Sequence, residues 1–203
     1  MCEAMLVFGG HAQNFYQTHL DDLASKDLSA ETISKYATVD ENELNTASHS
    51  GKVDGIVVSS QLVDLDSNVK LRVYFAVDNP EDWNTYTFSL TRPAGNGTTT
   101  TTETLERKVE ERVSGSGSQT LYYVEVEVPP AYWNDNYVIN VTSSNYTGQT
   151  YTVTTSVMTW VKSCIEANKS TNDDKLMAET NMAKAMYYYS LYADAYFASK
   201  AEQ

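Results

Sequence analysis

The residues best suited to recognition chemistry are aromatic and sit in turns. Trp83-Asn84-Thr85-Tyr86 and Tyr132-Trp133-Asn134-Asp135-Asn136 place indole and phenol rings beside amides and carboxylates. Sugars bind by stacking their apolar faces on such rings while Asn and Asp take the hydroxyls. Trp83, Tyr86, Tyr132 and Trp133 are therefore the candidate glycan-binding residues. The competing use of the same side chains is a core, and with 15 tyrosines and 3 tryptophans that use has a strong claim. Exposed, coplanar rings would favour a glycan platform; buried rings would favour packing.

Catalytic and metal chemistry has weaker candidates. Asp64, Asp66 and Asn68 flank a turn that superficially resembles a calcium loop. An EF-hand needs glycine at its sixth position and glutamate at its twelfth; Val69 and Phe75 stand there instead. Asp78, Glu81 and Asp82 form a second acidic turn of the kind that holds structural calcium in some sandwich modules. Glu103, Glu106, Glu110 and Glu111 read as a solvated strand face. Glycoside hydrolysis needs two carboxylates about 5 to 9.5 Å apart across a cleft, and no pair in the sequence suggests itself. His11, His19 and His49 are scattered, without a hydrolase motif around a serine or cysteine. Cys2 and Cys164 have no redox or zinc spacing and are expected to be reduced and buried. The expectation is a non-enzyme with no catalytic residue, metal ligand or cofactor.

Charge narrows the partners. The formal charge is −13, from 27 acidic against 14 basic residues. Nucleic acid and anionic membrane surfaces call for a basic face, so neither is expected. No apolar run approaches the roughly 18 residues of a membrane span. Met1 leads straight into an amphipathic pattern with Glu3 and no basic leader, so a secretion signal is expected upstream of this chain.

The elements that position these residues follow from periodicity. Met1, Met5, Phe8, Ala12 and Phe15 lie on one helical stripe. Gly9-Gly10 in its middle costs about 1 kcal/mol per glycine, which predicts close approach of another backbone. Ser29 is a cap for a short helix; the remainder to His49-Ser50-Gly51 reads as loop. From Gly55 the period becomes two. Val69, Leu71, Val73 and Phe75 alternate with polar neighbours, as do Tyr86, Phe88 and Leu90, and Tyr122, Val124, Val126 and Val128. Leu105, Arg107, Val109, Glu111 and Val113 share one parity and read as a single strand. Thr98 to Thr102 reads as loop, and 114–118 as a hairpin tip. Six to eight strands with turns between them imply an antiparallel sandwich. The helical period then returns. Val157, Trp160, Val161, Cys164 and Ile165 form one stripe, and Leu176, Met182, Met186, Tyr189, Ala193 and Tyr196 another. Tyr187, Tyr188 and Tyr189 cannot share a helix face, so at least one is expected to be exposed.

The two ends echo each other. Met1-Cys2-Glu3-Ala4-Met5 matches Met182-Ala183-Lys184-Ala185-Met186 without a gap; Phe8 then aligns with Tyr189, Ala12 with Ala193, and Phe15-Tyr16 with Tyr196-Phe197. This predicts a piece of a tandem, modular chain. The run Met158 to Glu166, Asp174-Lys175-Leu176, Lys184 to Ser190 and the opening Ala4 to Tyr16 resemble a module of surface and secreted proteins of anaerobic Gram-positive gut bacteria. The strands Val57 to Leu65 and Val69 to Phe75 resemble that family's first pair. The resemblance implies an extracellular, cell-wall or cellulosome-associated, non-catalytic module, and carries no site residues.

The reading is an α+β chain: an antiparallel β-sandwich flanked by an N-terminal helix and a C-terminal helical hairpin. Its segments are 1–50, helix and irregular; 51–155, sandwich; and 156–203, hairpin. They are expected to pack as one module. The expected role is structural or adhesive, with neighbouring modules of the same chain as partners. The alternative is a carbohydrate-binding module that takes a polysaccharide, and a surface protein is a further candidate partner.

Overall fold

The computed structural model describes residues 2–65, 68–93, 100–114 and 117–201. Two compact units divide the chain. One comprises Met1–Thr46, Pro130–Asn134 and Met158–Gln203; the other comprises Ala47–Pro129 and Asp135–Val157. The helical parts from both ends of the sequence thus share a unit, and the first strand begins at Ser48.

The strand unit contains β1 (Ser48–Lys52), β2 (Ile56–Asp64), β3 (Lys70–Val77), β4 (Tyr86–Pro93), β5 (Thr100–Leu105), β6 (Lys108–Ser114), β7 (Gly117–Glu127), β8 (Tyr137–Ser143) and β9 (Thr150–Thr155). They form a five-stranded sheet in the order β1-β9-β8-β4-β5 and a four-stranded sheet in the order β2-β3-β7-β6. Every pairing is antiparallel. The expected α+β class with a β-sandwich is what the chain adopts. Alternation delivers its core: Leu71, Val73, Phe75, Phe88, Leu90, Val124, Ile139, Val141 and Val153 are all buried. Each such side chain contributes about 1.5–3 kcal/mol of transfer free energy. Phe75 of one sheet and Phe88 of the other bring their ring centroids to 5.0 Å.

Two strand readings change. His49-Ser50-Gly51 is not loop but the middle of β1, paired with β9. All five of its residues are exposed, so no apolar side chain announced it. The single strand read through Leu105 and Val113 is two strands, in different sheets. The chain crosses from one sheet to the other at Glu106-Arg107, which leaves side-chain parity on both sides intact. The β6–β7 hairpin is confirmed by its register, with Ser114 opposite Gly117; its tip, 115–116, lies outside the described residues. The threonine run is strand from Thr100 onward, while Thr98 and Thr99 lie outside them.

One face of the four-stranded sheet carries a charge ladder. Arg72 meets Asp64 at 2.6 Å and Glu125 at 2.8 Å, with its guanidinium 5.2 Å from the Tyr123 ring centre. Lys108 adds a 2.7 Å bond to Glu125. Burial alone would raise the Glu125 carboxyl, but hydrogen bonds from Lys108 and Arg72 outweigh it and hold the group below its ordinary range.

The helical unit contains α1 (Cys2–Tyr16), α2 (Ala30–Ser34), α3 (Val157–Ala167) and α4 (Asp174–Ala201). Ser29 caps α2 as expected, its Oγ accepting from the Thr32 amide at 3.1 Å. Asp173 caps α4, accepting from Lys175 and Leu176 amides at 2.9 and 3.1 Å. Helices α1 and α4 are antiparallel neighbours: Phe8 stacks on Tyr189, and Asn14 to Gln17 line a cavity of about 680 Å³ with Asp174, Lys175 and Ala178. The glycine pair in α1 does admit another stretch of backbone. After α1 the chain doubles back, and a Cβ at Gly9 would lie 3.0 Å from Ala24 Cβ, one at Gly10 2.9 Å from Ser25 Cβ. Gln13 holds that turn, accepting from the Ala24 amide at 2.6 Å and donating to the Asp22 carbonyl at 3.1 Å.

Helix α4 also corrects its own reading. Leu176 and Tyr196 are exposed at 39% and 42%. At 1.5 Å per residue α4 is about 42 Å long and α1 about 22 Å, so the C-terminal end of α4, with Tyr196, outruns that partner, while Asp174 and Lys175 at its other end still lie beside Asn14 to Gln17. The three tyrosines are all engaged. Tyr187 donates to Glu43 and Tyr188 to the Thr38 carbonyl, while Tyr189 stacks on Phe8. The segment around 36–43 supplies the second packing surface that a helix hairpin alone would lack. Cys2 is exposed rather than buried; Cys164 is buried, and both are free thiols.

Candidate functional site

Trp83 is placed by its own turn. Asn79 caps a 3-10 turn, Pro80–Thr85, with its side chain accepting from the Glu81 amide at 3.3 Å, and Pro80 presets the backbone. The acidic turn 78–82 is thus a helix start. Asp82 accepts from Asn145 Nδ2 at 2.9 Å, which ties the turn to the loop after β8. The turn drives Trp83 between the sheets, 5.2 Å from Phe88 and 5.1 Å from Tyr122.

Three of the four candidate glycan residues are core. Trp83 is 4% exposed, Tyr86 0% and Trp133 1%. A ring packed on both faces offers a sugar no stacking surface, so the platform read from the sequence is not what these residues form. Tyr86 donates its hydroxyl to the Asp54 carbonyl at 3.1 Å, and burial pushes its phenol up to about 12. Trp133 belongs to the helical unit, edge-on to Phe8 at 5.9 Å and to Tyr189 at 5.6 Å. Tyr132, half-buried, ends the preceding 3-10 turn. The two aromatic turns therefore serve two different cores.

A cavity of about 430 Å³ does open beside the first turn, where the chain crosses between sheets. Trp83, Phe88 and Leu105 give it a buried apolar floor; Asn84, Thr87, Thr104, Glu106 and Arg107 are exposed and polar. Arg107 is fixed there, its Nη1 donating to the carbonyls of Asn84 and Tyr86 at 2.7 Å each. Trp83 Nε1 is buried and has no hydrogen-bond partner among the described residues. A buried orphan donor costs about 1–3 kcal/mol. Alternation in the sequence places Arg107 and Glu106 in a regular strand, and no local signal marks the crossover that makes them neighbours of Trp83.

Several of the remaining titratable candidates are held by structural partners. Glu103 pairs with Arg92 at 3.2 Å, Glu110 with Arg112 at 3.5 Å, and Glu111 accepts from Thr120 at 2.7 Å and Ser118 at 2.9 Å. Asp64 is committed to Arg72, and Asp66 lies outside the described residues. His11 is half-buried with its pKa lowered by burial, and His49 Nδ1 lies 2.6 Å from the Tyr151 hydroxyl. Among the described residues no three His, Cys, Asp or Glu side chains gather in a metal-binding arrangement. Among them, too, no helix is long and apolar enough to cross a membrane.

No protein-family model matches the chain, and neither the search of curated proteins nor that of solved structures returned a match.

Proposed function

We propose that this chain is a non-catalytic structural or adhesion module of a multi-modular bacterial surface or cellulosome-associated protein, working outside the cell beside other modules. The observation that carries the reading is the use made of the acidic residues. Asp64, Glu103, Glu111 and Glu125 each bind a cation or hydroxyl on an adjacent strand or across a hairpin. Glu41 and Glu43 likewise bind Lys169 and Tyr187 across the helical unit. Carboxylates so committed fasten elements together, as a load-carrying or spacing module requires. The test is incubation with plant, host-mucin and bacterial cell-wall polysaccharides, assayed for newly released reducing ends. No release is expected; turnover that survives repurification would overturn the reading.

A second reading, carbohydrate binding, draws support from a different observation than the one that first suggested it. The rings are buried, but the polar-rimmed cavity beside Trp83 has the size range of small-ligand sites. Retention on an immobilised polysaccharide, lost on filling the cavity with Thr104→Trp, is the expected result; no retention on any glycan would end it.

A further inference from the structure

We propose that the open edge of β5 is an interaction surface for a second copy of this chain, which adds its own β5 as an antiparallel strand. An edge strand leaves every second N–H and C=O of its backbone unpaired, a template for a further strand. Among the described residues the edges are β1 and β5 in one sheet, β2 and β6 in the other. The other three carry features that discourage pairing. β1 holds Gly51 at a φ of 69° and ends on Lys52. β2 is broken by a register shift between Val58 and Ser60. β6 carries Lys108, Glu110, Glu111 and Arg112. β5 has none of these features. Its sequence, Thr-Thr-Thr-Glu-Thr-Leu, pairs without a bulge against Phe88 to Pro93, and threonine favours a pleated strand. Thr100 to Thr104 are exposed in succession, so both faces of the strand are open as well as its edge. Its one charge, Glu103, is matched by Arg92 at 3.2 Å.

Symmetry and charge select the partner and the register. Identical edges meet under a two-fold axis normal to the sheet, which makes the new pair antiparallel and keeps each face on its own side. The pleat then lets only residues of like parity oppose each other. A register centred on Glu103 sets two carboxylates face to face, and like charges directly opposite are unfavourable. One centred on Thr101 engages only Thr100 to Thr102 of the strand. The register centred on Thr102 opposes that residue with its own copy, Thr100 with the second copy's Thr104, and Thr101 with the second copy's Glu103. It meets no like charge. Threonines directly opposite each other already pair inside the sheet, where the hydroxyls of Thr91 and Thr102 lie 3.2 Å apart. The contact joins the two copies' five-stranded sheets edge to edge. So short a strand pair buries less than the roughly 1,200 Å² of a stable complex, which makes the association weak and reversible.

Sedimentation equilibrium of the full chain, at about 0.15 M salt to screen its net charge, follows the mean mass from micromolar to millimolar concentration. The mass is expected to climb toward that of a dimer, with a dissociation constant on the order of 0.1–1 mM. Thr102→Lys, on an exposed side chain, sets two ammonium groups opposite each other. It should weaken association at least about fivefold and leave the circular dichroism unchanged. Cross-linking reads the register. In a Cys2→Ser background, Thr102→Cys should form an intermolecular disulfide with diamide, because the two-fold sets its Cβ atoms about 5 Å apart. Thr100→Cys should not, because its two copies lie about 14 Å apart along the strands. Thr87→Cys, exposed on β4, controls for random collision. Were Thr102→Lys to misfold, the parent's mass and the cross-links decide. A mass that stays monomeric throughout, a folded Thr102→Lys that associates like the parent, or Thr100→Cys linking as readily as Thr102→Cys would each overturn the proposal.

Discussion

Phe8 and Tyr189 stack with ring centroids 5.7 Å apart and planes 20° from parallel. They are also the residues that align when the N-terminal segment is matched to the C-terminal one. The echo is therefore expressed as a contact: the two related helices lie antiparallel with their equivalent aromatics against each other. Equivalent alanines, Ala4 and Ala185, are both buried in the cluster around Tyr36. Small residues one turn from a large ring let the helices approach while the ring fills the gap.

This contact predicts that α1 is an integral part of its unit. Phe8→Ala removes a half-buried ring that also meets Trp133 edge-on and should cost about 2–4 kcal/mol. Deleting residues 1–17 should unfold the helical unit. Urea titration followed by tryptophan fluorescence measures the first, and near-ultraviolet circular dichroism the second. A truncated chain as stable as the parent would refute the assignment.

Gly10→Ala should destabilise, although alanine normally gains about 1 kcal/mol over glycine inside a helix. The new Cβ would sit 2.9 Å from Ser25 Cβ and closer still to its Oγ, and such overpacking costs about 1–3 kcal/mol. The double variant Gly10→Ala with Ser25→Gly should recover most of the loss. Thermal melts of the four combinations provide the cycle.

Glu125 should make part of the stability acid-sensitive. Its folded pKa is depressed by Lys108 and Arg72, which overcome the opposing effect of burial. The unfolded chain then binds more protons over this window, so the contribution is full above the ordinary glutamate value, about 4.3, and is lost as pH falls through the lower folded value. Glu125→Gln should cost about 1–3 kcal/mol at pH 7, and its difference from the parent should be flat from pH 8 to 6 and shrink below about pH 5. Urea midpoints across that range test it; a difference that grew on acidification would be incompatible with the ladder.

The two thiols should separate cleanly. Cys164 is buried and its thiol pushed up to about 12, by burial first and Glu179 second, which suppresses the reactive thiolate. Cys2 is exposed. Under native conditions a thiol reagent at pH 8 should modify Cys2 alone, and Cys164 should react only in denaturant. Peptide mapping after labelling reads this directly, and Cys2→Ser should leave the native chain unlabelled.

Much of the framework was legible in the sequence because periodicity is local. The alternation of Leu71, Val73 and Phe75, or the stripe of Met182, Met186 and Ala193, depends only on strand or helix geometry. The Ser29 cap and the close approach at Gly9-Gly10 were legible for the same reason. Each states a requirement of one turn of chain. What escaped has its cause elsewhere in the molecule. β1 is polar throughout and is a strand because β9 lies beside it. The run from Leu105 to Val113 keeps its parity through a change of sheet, so alternation could not show the crossover. Trp83 and Trp133 look alike as turn aromatics, yet burial is decided by what surrounds a ring. Only the tertiary structure could show that Phe75, Phe88 and Tyr122 enclose one, and Phe8 and Tyr189 the other. The cavity that remains is built from residues far apart in sequence, with Arg107 fixed by carbonyls more than twenty positions away. Side-chain type determined most of the elements; pairing and chain crossing determined the polar strand β1 and which side chains meet.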